Sequence, residues 1–227
     1  SGANYCIAAI SGDFVQRGGP AVFDKYTRTA MALESGADLV VELPPIFASS
    51  SAEDFASCGV ALLDALGVVS HLCFGSESGN LEELSSVADL LADESEEYQQ
   101  VLRQHLKDGY PFPQARAAAF SFCSPKTDPE LLSQPNNTLG IEYLKAIKKK
   151  NSPVTPVTIK RMGSGYHEAV ISSDQPMASA TAIRAVLENR TVDDFKESNL
   201  LLASQIPPAA LNLARTRLPL TADDFSA

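Results

Sequence analysis

Three short apolar runs in the first 80 residues each lead through a turn-rich loop into a helical pattern, and this alternation constrains the fold most strongly. The runs are Tyr5 to Ile10, Leu39 to Leu43 and Ser70 to Phe74. Continuous apolar runs are typical of strands buried on both faces, and strand–helix–strand units build parallel sheets with right-handed crossovers. The sequence therefore predicts an α/β protein with a Rossmann-like, doubly wound parallel sheet.

A basic, glycine-containing loop connects a further predicted strand, near Val157, to a hydroxyl-capped helix. Lys160 and Arg161 open the loop, and the helix begins at Ser179, with Thr181 in its first turn and Arg184 three residues later on the same face. Glycines let backbone approach a ligand, helix-start N–H groups attract anions, and a guanidinium binds phosphate. The stretch predicts a phosphate site. An ordinary capped helix with a solvated arginine is the alternative that the pattern alone leaves open.

The overall charge is negative, whereas one stretch near residue 150 is strongly basic. A formal charge of −10 argues against wholesale nucleic-acid coating, because non-specific affinity comes from cations that neutralise phosphates. No acidic residue interrupts the basic stretch, which contains Lys145, Lys148, Lys149, Lys150, Lys160 and Arg161. We interpret it either as a local RNA-binding face or as a solvated helix end whose cations complement the helix dipole.

Several residue patterns argue against other classes of site. The four cysteines have no C-x-x-C spacing, and Cys6 and Cys73 fall in apolar runs, so we expect buried free thiols and neither a disulfide framework nor a zinc site. The three histidines are scattered, so no metal ligands are predicted. No apolar stretch is long enough to span a bilayer, and the first residues lack a secretory layout; we predict a soluble, cytoplasmic protein.

Two more segments follow the predicted strands or begin a helix. The loop from Ser11 to Pro20 carries Gln16 and Arg17 beyond the first strand, at the edge where open parallel sheets bind ligands, although a structural turn is as consistent with its composition. Asn136 and Asn137 begin a helix, where an Asn pair serves either as a cap or as a ligand-binding group.

Six segments, read together in this order and at these separations, resemble the bacterial tRNA(Met) cytidine acetate ligase family of the nucleotidyltransferase-like superfamily. The resemblance extends from Tyr5 to about Arg184; each motif is weak alone, and the six in register are specific. The segments are Ser11-Gly12-x-Phe14-x-Gln16-Arg17-Gly18, Asp38 to Pro44, Phe74-Gly75-Ser76-Glu77, Gln134-Pro135-Asn136-Asn137, Thr158 to Arg161 with Gly165-Tyr166-His167, and Ala178 to Arg184.

The resemblance implies a Rossmann-type fold and an ATP-dependent reaction. Enzymes of this family adenylate acetate, release pyrophosphate, and transfer the acetyl group to the wobble cytidine of elongator tRNA(Met) without acetyl-CoA. It also implies ATP-binding residues, with Arg184 as the catalytic one: Gly75, Asn136, Arg161, Met162, Ser179, Thr181 and Arg184.

The predicted roles of these residues differ. Gly75 would allow close backbone approach, Met162 would contact adenine, and the groups around Arg184 would converge on the polyphosphate. We expect Mg²⁺ to arrive with ATP and to be held largely by phosphates and water. Lys148 and Lys149, in the basic stretch, are the predicted tRNA-binding residues.

After residue 80, helical patterns replace the strand–helix units. We predict a Rossmann-like nucleotide-binding domain from residues 1–80 and 134–190, a helical insertion over 81–133, and an incomplete C-terminal helical segment over 191–227. Two C-terminal helices are expected, at Thr191 to Leu202 and Pro207 to Arg215.

The sequence departs from the superfamily pattern at one signature. A His-x-Gly-His turn after the opening strand is absent, and the chain begins at what resembles the family's second strand. Either residues of a longer protein are omitted, or the protein lacks half of its catalytic apparatus. The missing signature motivates one alternative function, a non-catalytic nucleotide- or tRNA-binding module. The other alternative is a nucleotidyltransferase that adenylates a small cofactor precursor.

Overall fold

The computed structural model describes residues 2–16, 18–125, 127–162, 178–188, 202–217 and 219–220. In chain order, the described elements are β1 (Ile7–Ser11), α1 (Lys25–Glu34), β2 (Leu39–Leu43), α2 (Pro45–Ala48), α3 (Ala52–Ala65), β3 (His71–Ser76), α4 (Leu81–Ala92), α5 (Glu96–Lys107), α6 (Phe112–Cys123), a 3-10 helix (Pro129–Leu132), α7 (Pro135–Lys150), β4 (Thr155–Lys160), α8 (Ala180–Glu188) and α9 (Pro208–Thr216). The chain divides into two compact units: Ser1–Ser51 with Met162–Ala227, and Ala52–Arg161.

The first unit contains the parallel pair β1–β2, with Ile7 opposite Leu39 and Ser11 opposite Leu43. Helix α1 connects the two strands, as a parallel pair requires. It begins after Asp24, whose carboxylate accepts the backbone N–H groups of the first turn and so caps the helix. The apolar core of this unit joins the segment before α1 to the C-terminal helices and comprises Phe23, Leu187, Leu202, Leu211 and Ala214.

The second unit contains the parallel pair β3–β4, with His71 opposite Thr155 and Ser76 opposite Lys160. Burial alternates along β3, because side chains of a strand point to opposite faces. Leu72 and Phe74 face the core with residues of α3, α4 and α7, whereas Cys73 is exposed. The buried face of β3 is therefore packed against helices, and α7 is in contact with it.

A buried charge cluster fixes the middle of α7. Glu142 is almost fully buried and accepts from Arg116 Nη2 at 2.8 Å and from Lys145 Nζ at 2.7 Å. Removing one member of such a cluster leaves a buried charge unpaired, which costs about 3–5 kcal/mol. The cluster ties α7 to α6, so the start of α7 is carried by an anchored helix.

The three predicted strands with stated bounds are confirmed within two residues at each end, and the helix predicted from Pro207 to Arg215 is confirmed within one residue at each end. The short helix α2 was not predicted. The predicted helix from Thr191 lies outside the described residues except for Leu202. The domain boundaries remain a prediction.

The expectation of buried thiols is wrong for Cys6 and Cys73, which are exposed, while Cys58 and Cys123 are partly buried. Cys6 precedes β1, and Cys73 lies on the outward face of β3. An apolar run therefore does not by itself show that both faces of a strand are covered.

Candidate functional site

The carboxyl ends of β3 and β4 are held together by a short polar network. Ser76 is buried, and its Oγ lies 2.7 Å from Thr158 Oγ1 on the neighbouring strand. The backbone N–H of Gly79 donates to the same Oγ at 3.0 Å. The N–H of Arg161 donates to the carbonyl of Ser76 at 2.8 Å, which extends the ladder one residue beyond β4. These bonds fix the loop after β3 and the first residue after β4 relative to each other.

Gly75 makes room for the side chain of Arg161. A Cβ added to Gly75 would lie 3.2 Å from Arg161 Cγ, closer than a side chain ordinarily approaches, and 3.7 Å from its Cδ. Among the described residues, the group that approaches Gly75 closely is therefore the aliphatic part of the Arg161 side chain. This contact places an exposed guanidinium at the carboxyl end of the β3–β4 pair.

The start of α7 is capped by a carboxylate from the loop after β3. Gln134 precedes the helix and makes no side-chain cap. Instead, Glu77 Oε1 accepts from Asn136 N at 3.2 Å and from Asn136 Nδ2 at 2.6 Å, and Glu77 Oε2 accepts from Asn137 N at 2.7 Å. The interpretation of the Asn pair as the cap is therefore wrong. Sequence reasoning missed Glu77, and its one signal was that no capping side chain occupies the position of Gln134.

The two asparagines of α7 have different surroundings. Asn137 is buried; its Oδ1 accepts from Ser78 N at 3.0 Å, and its Nδ2 donates to Gln134 Oε1 at 2.9 Å. Asn136 is only partly buried. Asn137 therefore joins two loops inside the unit, and Asn136 is the member of the pair that can meet a ligand.

Exposed apolar side chains flank Arg161. Ile159, opposite Gly75, is 61% exposed, and Met162 is 71% exposed. Large apolar side chains exposed to this degree beside a cation are suited to a planar, partly apolar ligand. The rest of the predicted loop, from Gly163 to His167, lies outside the described residues, as does Arg17 of the loop after β1.

A second group of predicted residues lies at the start of α8, in the first unit. Ser179 is buried, and its Oγ accepts from Ala182 N at 3.0 Å, which confirms the predicted N-cap. Arg184 Nη2 donates to Thr181 Oγ1 at 3.1 Å, which confirms that these side chains share one helix face. The helix start thus combines neutral hydroxyls with one guanidinium.

The carboxyl ends of β1 and β2 carry a charged pair that the sequence reasoning did not include among the site residues. Glu42 accepts from Lys25 Nζ at 3.0 Å and lies directly against Gly12, which has no side chain to displace it. The hydrogen bond to Glu42 raises the pKa of Lys25. Arg28 donates to the carbonyls of Ser11 and Gly12. The interruption of an apolar strand by Glu42 was the signal for a charged partner.

The model of the HIGH Nucleotidyl Transferase family matches residues 1–225, which is almost the whole chain. The chain belongs to this family. Two relatives named tRNA(Met) cytidine acetate ligase support the same grouping. The chain is 45% identical to that of Caldanaerobacter subterraneus subsp. tengcongensis over 193 residues, 85% of this chain and 48% of the relative. It is 38% identical to that of Acetivibrio thermocellus over 232 residues, 99% of this chain and 55% of the relative.

Solved structures in this nucleotidyl transferase family are similar as well. The crystal structure of apo Thermotoga maritima TmcAL has a TM-score of 0.81 and 37% identity, and that of the same protein bound with alpha-thio ATP has 0.77 and 36%. Each match covers 92% of this chain and 48% of the other. The predicted Rossmann-like α/β class and the predicted resemblance are confirmed. The chain spans about half the length of these relatives.

In this member of the family, the predicted tRNA-binding lysines at the end of α7 are paired with acidic side chains. Lys148 Nζ lies 2.9 Å from Asp89 and 2.8 Å from Asp93, and Lys149 Nζ lies 3.4 Å from Glu53. The hydrogen bonds to Asp93 and Asp89 raise the pKa of Lys148. Lys148 and Lys149 are therefore compensated by neighbouring carboxylates.

Two classes of feature have no counterpart in the described part of the chain. No group of three or more His, Cys, Asp or Glu side chains is arranged to hold a metal ion there. None of the helices within the described ranges combines the length and the apolar character of a bilayer span.

Proposed function

We propose that the protein carrying this sequence uses ATP to activate acetate and then acetylates the wobble cytidine of elongator tRNA(Met) in the cytoplasm. One observation carries the proposal: in a chain 45% identical to a tRNA(Met) cytidine acetate ligase, Arg161 is seated over Gly75 at the carboxyl ends of β3 and β4. Ligands of open parallel sheets bind at this edge. The arrangement is what a nucleotide needs, a cation beside exposed apolar side chains.

In this proposal, the two groups of residues recognise different parts of ATP. Ser179, Thr181 and Arg184 hold the pyrophosphate end, because helix-start N–H groups, hydroxyls and a guanidinium all favour phosphate oxygens. Arg161 binds a phosphate nearer the nucleoside, and the apolar side chain of Met162 contacts adenine. The bound ATP of the Thermotoga maritima TmcAL structure, present as its alpha-thio analogue, supports a nucleotide at this family's site.

The first chemical step is the attack of an acetate oxygen on the α-phosphorus of ATP. A bond forms between that oxygen and phosphorus, the bond to the bridging oxygen breaks, and pyrophosphate leaves with the electron pair. Negative charge grows on the leaving group, so Arg184 and the donors at the α8 start stabilise the transition state electrostatically. Arg184 is the catalytic residue of this step.

The second step transfers the acetyl group from acetyl-adenylate to RNA. The exocyclic amine of the cytidine attacks the acetyl carbonyl, AMP leaves with the electrons of the broken C–O bond, and the amine gives up one proton to a base. Mg²⁺ would accompany ATP, bound mainly through the phosphates and water, and would neutralise phosphate charge that the arginines do not reach.

Lys148 and Lys149 are the proposed contact to tRNA. Their pairing with Asp89, Asp93 and Glu53 lowers the net positive charge of this surface. Phosphate contacts at these lysines therefore require an exchange of partners, from carboxylate to phosphate. This contact contributes to the orientation of the RNA more than to overall affinity.

The test is an assay of the complete protein that carries this sequence, with labelled acetate, ATP, Mg²⁺ and elongator tRNA(Met). We expect N4-acetylcytidine in digested tRNA and one pyrophosphate per acetyl group, and loss of product when ATP, acetate or tRNA is omitted. Acetyl-CoA should not replace acetate and ATP. No product with any tRNA, together with pyrophosphate release driven by a small cofactor precursor, would favour the other nucleotidyltransferase reaction. Binding of ATP or tRNA without turnover would favour the non-catalytic module.

A further inference from the structure

Glu77 determines how the side-chain amide of Asn136 is oriented. A carboxylate has only hydrogen-bond acceptors, so the group that faces it at 2.6 Å must be the NH₂ of the amide and not its oxygen. Asn136 Oδ1 therefore points away from Glu77. No group of the described residues donates to this oxygen, and Asn136 is only partly buried.

Glu77 also settles which charge can approach the start of α7. Helix N-termini attract anions because of their unpaired N–H groups and the helix dipole. Here the backbone N–H groups of Asn136 and Asn137 are already bonded to Glu77, and the carboxylate would repel a phosphate. The carboxylate therefore disfavours an anion here, and a ligand group that contacts Asn136 Oδ1 must bring its own hydrogen.

We propose that Glu77 is a positioning residue that presents Asn136 as a hydrogen-bond acceptor, so that Asn136 reads a donor on the nucleoside part of the nucleotide. The donor is either the 6-amine of adenine or a ribose hydroxyl, and phosphates are excluded from this helix start. This inference rests on the proposed function, because it requires a nucleotide at the carboxyl ends of β3 and β4.

Capping alone does not account for these contacts. A carboxylate that only capped α7 would need only the backbone N–H groups, yet the shortest of the three bonds runs to the side chain of Asn136. The amide of the neighbouring Asn137 is satisfied inside the unit by Ser78 and Gln134. Glu77 therefore acts on the one amide of the pair that reaches the surface.

A charge-swap cycle tests the positioning role through ATP affinity, measured by calorimetry, and through thermal unfolding. Asn136→Asp sets two carboxylates against each other, and we expect ATP affinity to fall about 30-fold and Tm to fall by several degrees. When Glu77→Gln is combined with Asn136→Asp, the new amide at position 77 can donate to the new carboxylate at position 136, whose other oxygen still accepts. Affinity should return to within about threefold of wild type. Glu77→Gln alone should lower ATP affinity about tenfold.

The matched control is Glu83→Gln, which removes a charge from the neighbouring turn. Glu83 accepts from Ser78 Oγ at 3.3 Å and does not contact Asn136. This variant should bind ATP as the wild type does. Equal affinities for Asn136→Asp with and without Glu77→Gln would overturn the positioning role.

Nucleotide analogues identify the donor and separate a reading role from a structural one. ITP lacks the 6-amine, and 2′-deoxy-ATP and 3′-deoxy-ATP each lack one hydroxyl. For wild type, we expect one analogue to bind about tenfold more weakly than ATP. For Asn136→Ala, the same analogue should bind about as well as ATP. The analogue that behaves in this way names the donor. Equal losses in wild type and Asn136→Ala for all three analogues would overturn the proposal.

The outcome also separates this inference from the proposed function. If wild type binds ATP but the cycle and the analogues show no coupling, only the inference fails. If wild type binds no ATP, the proposed function fails and the inference fails with it.

Discussion

Helices α7 and α8 both begin with a capped first turn, but the side chains at the two helix starts favour different ligand groups. At α7, the helix-start N–H groups are bonded to the carboxylate of Glu77, which arrives from the loop after β3. At α8, the cap is the neutral hydroxyl of Ser179, and Arg184 lies on the same face as Thr181. One helix start carries a negative charge of the protein itself, whereas the other carries a positive one.

This difference shows why a helix N-terminus is not in itself a phosphate site. The dipole and unpaired N–H groups favour an anion at both positions, but at α7 the protein supplies that anion. Among the described residues, the α8 start adds a cation, so a phosphate there would gain from the guanidinium as well as from the helix. The comparison indicates that a phosphate is favoured at α8 and an uncharged group at α7, which is the basis of the proposed roles of the two helix starts.

The largest expected effect comes from removing the guanidinium at α8. Arg184→Ala should lower the rate of tRNA acetylation about 100- to 1000-fold, because a fixed cation at the leaving pyrophosphate acts mainly in the transition state. Acetylation kinetics at saturating ATP would measure it. Arg215→Ala is the control, since Arg215 is exposed on α9 and contacts Asn212. A rate within about threefold of wild type for Arg184→Ala would remove the basis for assigning phosphates to α8.

A second test measures how the contact between α7 and β3 contributes to stability at high pH. The Glu77 cap depends on this contact. Burial raises the pKa of Tyr143, which packs against Phe74, to about 12. The phenol of an unfolded chain has a pKa of about 10, so between these two pH values the unfolded chain loses the proton and the folded chain keeps it. The free energy of unfolding should therefore fall with rising pH, by about 2–3 kcal/mol in total.

Tyr143→Phe should abolish this fall in the free energy of unfolding at high pH. It should leave the stability at about pH 8 nearly unchanged, because the tyrosine is protonated there in both the folded and the unfolded chain. Urea unfolding from about pH 8 to about pH 11.5, followed by circular dichroism, measures the difference between variant and wild type. Tyr5→Phe, at a residue that is 79% exposed, is the matched control. Parallel curves for Tyr143→Phe and wild type would mean that the phenol is hydrated in the folded protein and that α7 packs loosely on β3.

The features at α8 were predictable from sequence because they are local. Ser179, Thr181 and Arg184 lie within six consecutive residues, where helix spacing alone decides which side chains share a face. Asp24 is similarly close in sequence to α1, the helix that it caps.

The features at α7 were not predictable because their partners are distant in sequence. Glu77 lies 59 residues from Asn136, and Lys148 lies 55 residues from Asp93. No local pattern encodes such pairs; they follow from strand order and helix packing. The apolar pattern also does not show which face of β3 is covered, so the burial of Cys73 was predicted wrongly.

A smaller effect is expected where Gly75 and Arg161 meet, beside the neutral end of the nucleotide. Gly75→Ala would push Arg161 Cγ away by a few tenths of an ångström and should lower ATP affinity about tenfold. In an Arg161→Ala background, the same substitution should change ATP affinity little, because the aliphatic part of the arginine side chain is no longer there to be displaced. Calorimetry on the four proteins of this cycle gives the coupling. An equal loss in both backgrounds would show that Gly75 serves the ligand directly.

The smallest expected effect concerns the other end of α7, where the protein again supplies its own counter-charge. Lys148→Ala should weaken tRNA binding only about threefold and lower the slope of log affinity against log salt by at most about 1, because the ammonium is shared with Asp89 and Asp93. Replacing both acids, in Asp89→Asn with Asp93→Asn, should instead strengthen tRNA binding. Lys107→Ala, at an exposed lysine of α5, controls for loss of charge alone. If both changes leave the affinity and the salt slope unaltered, the RNA contacts another surface, and the α7 lysines serve only to hold α4 and α3 against the helix.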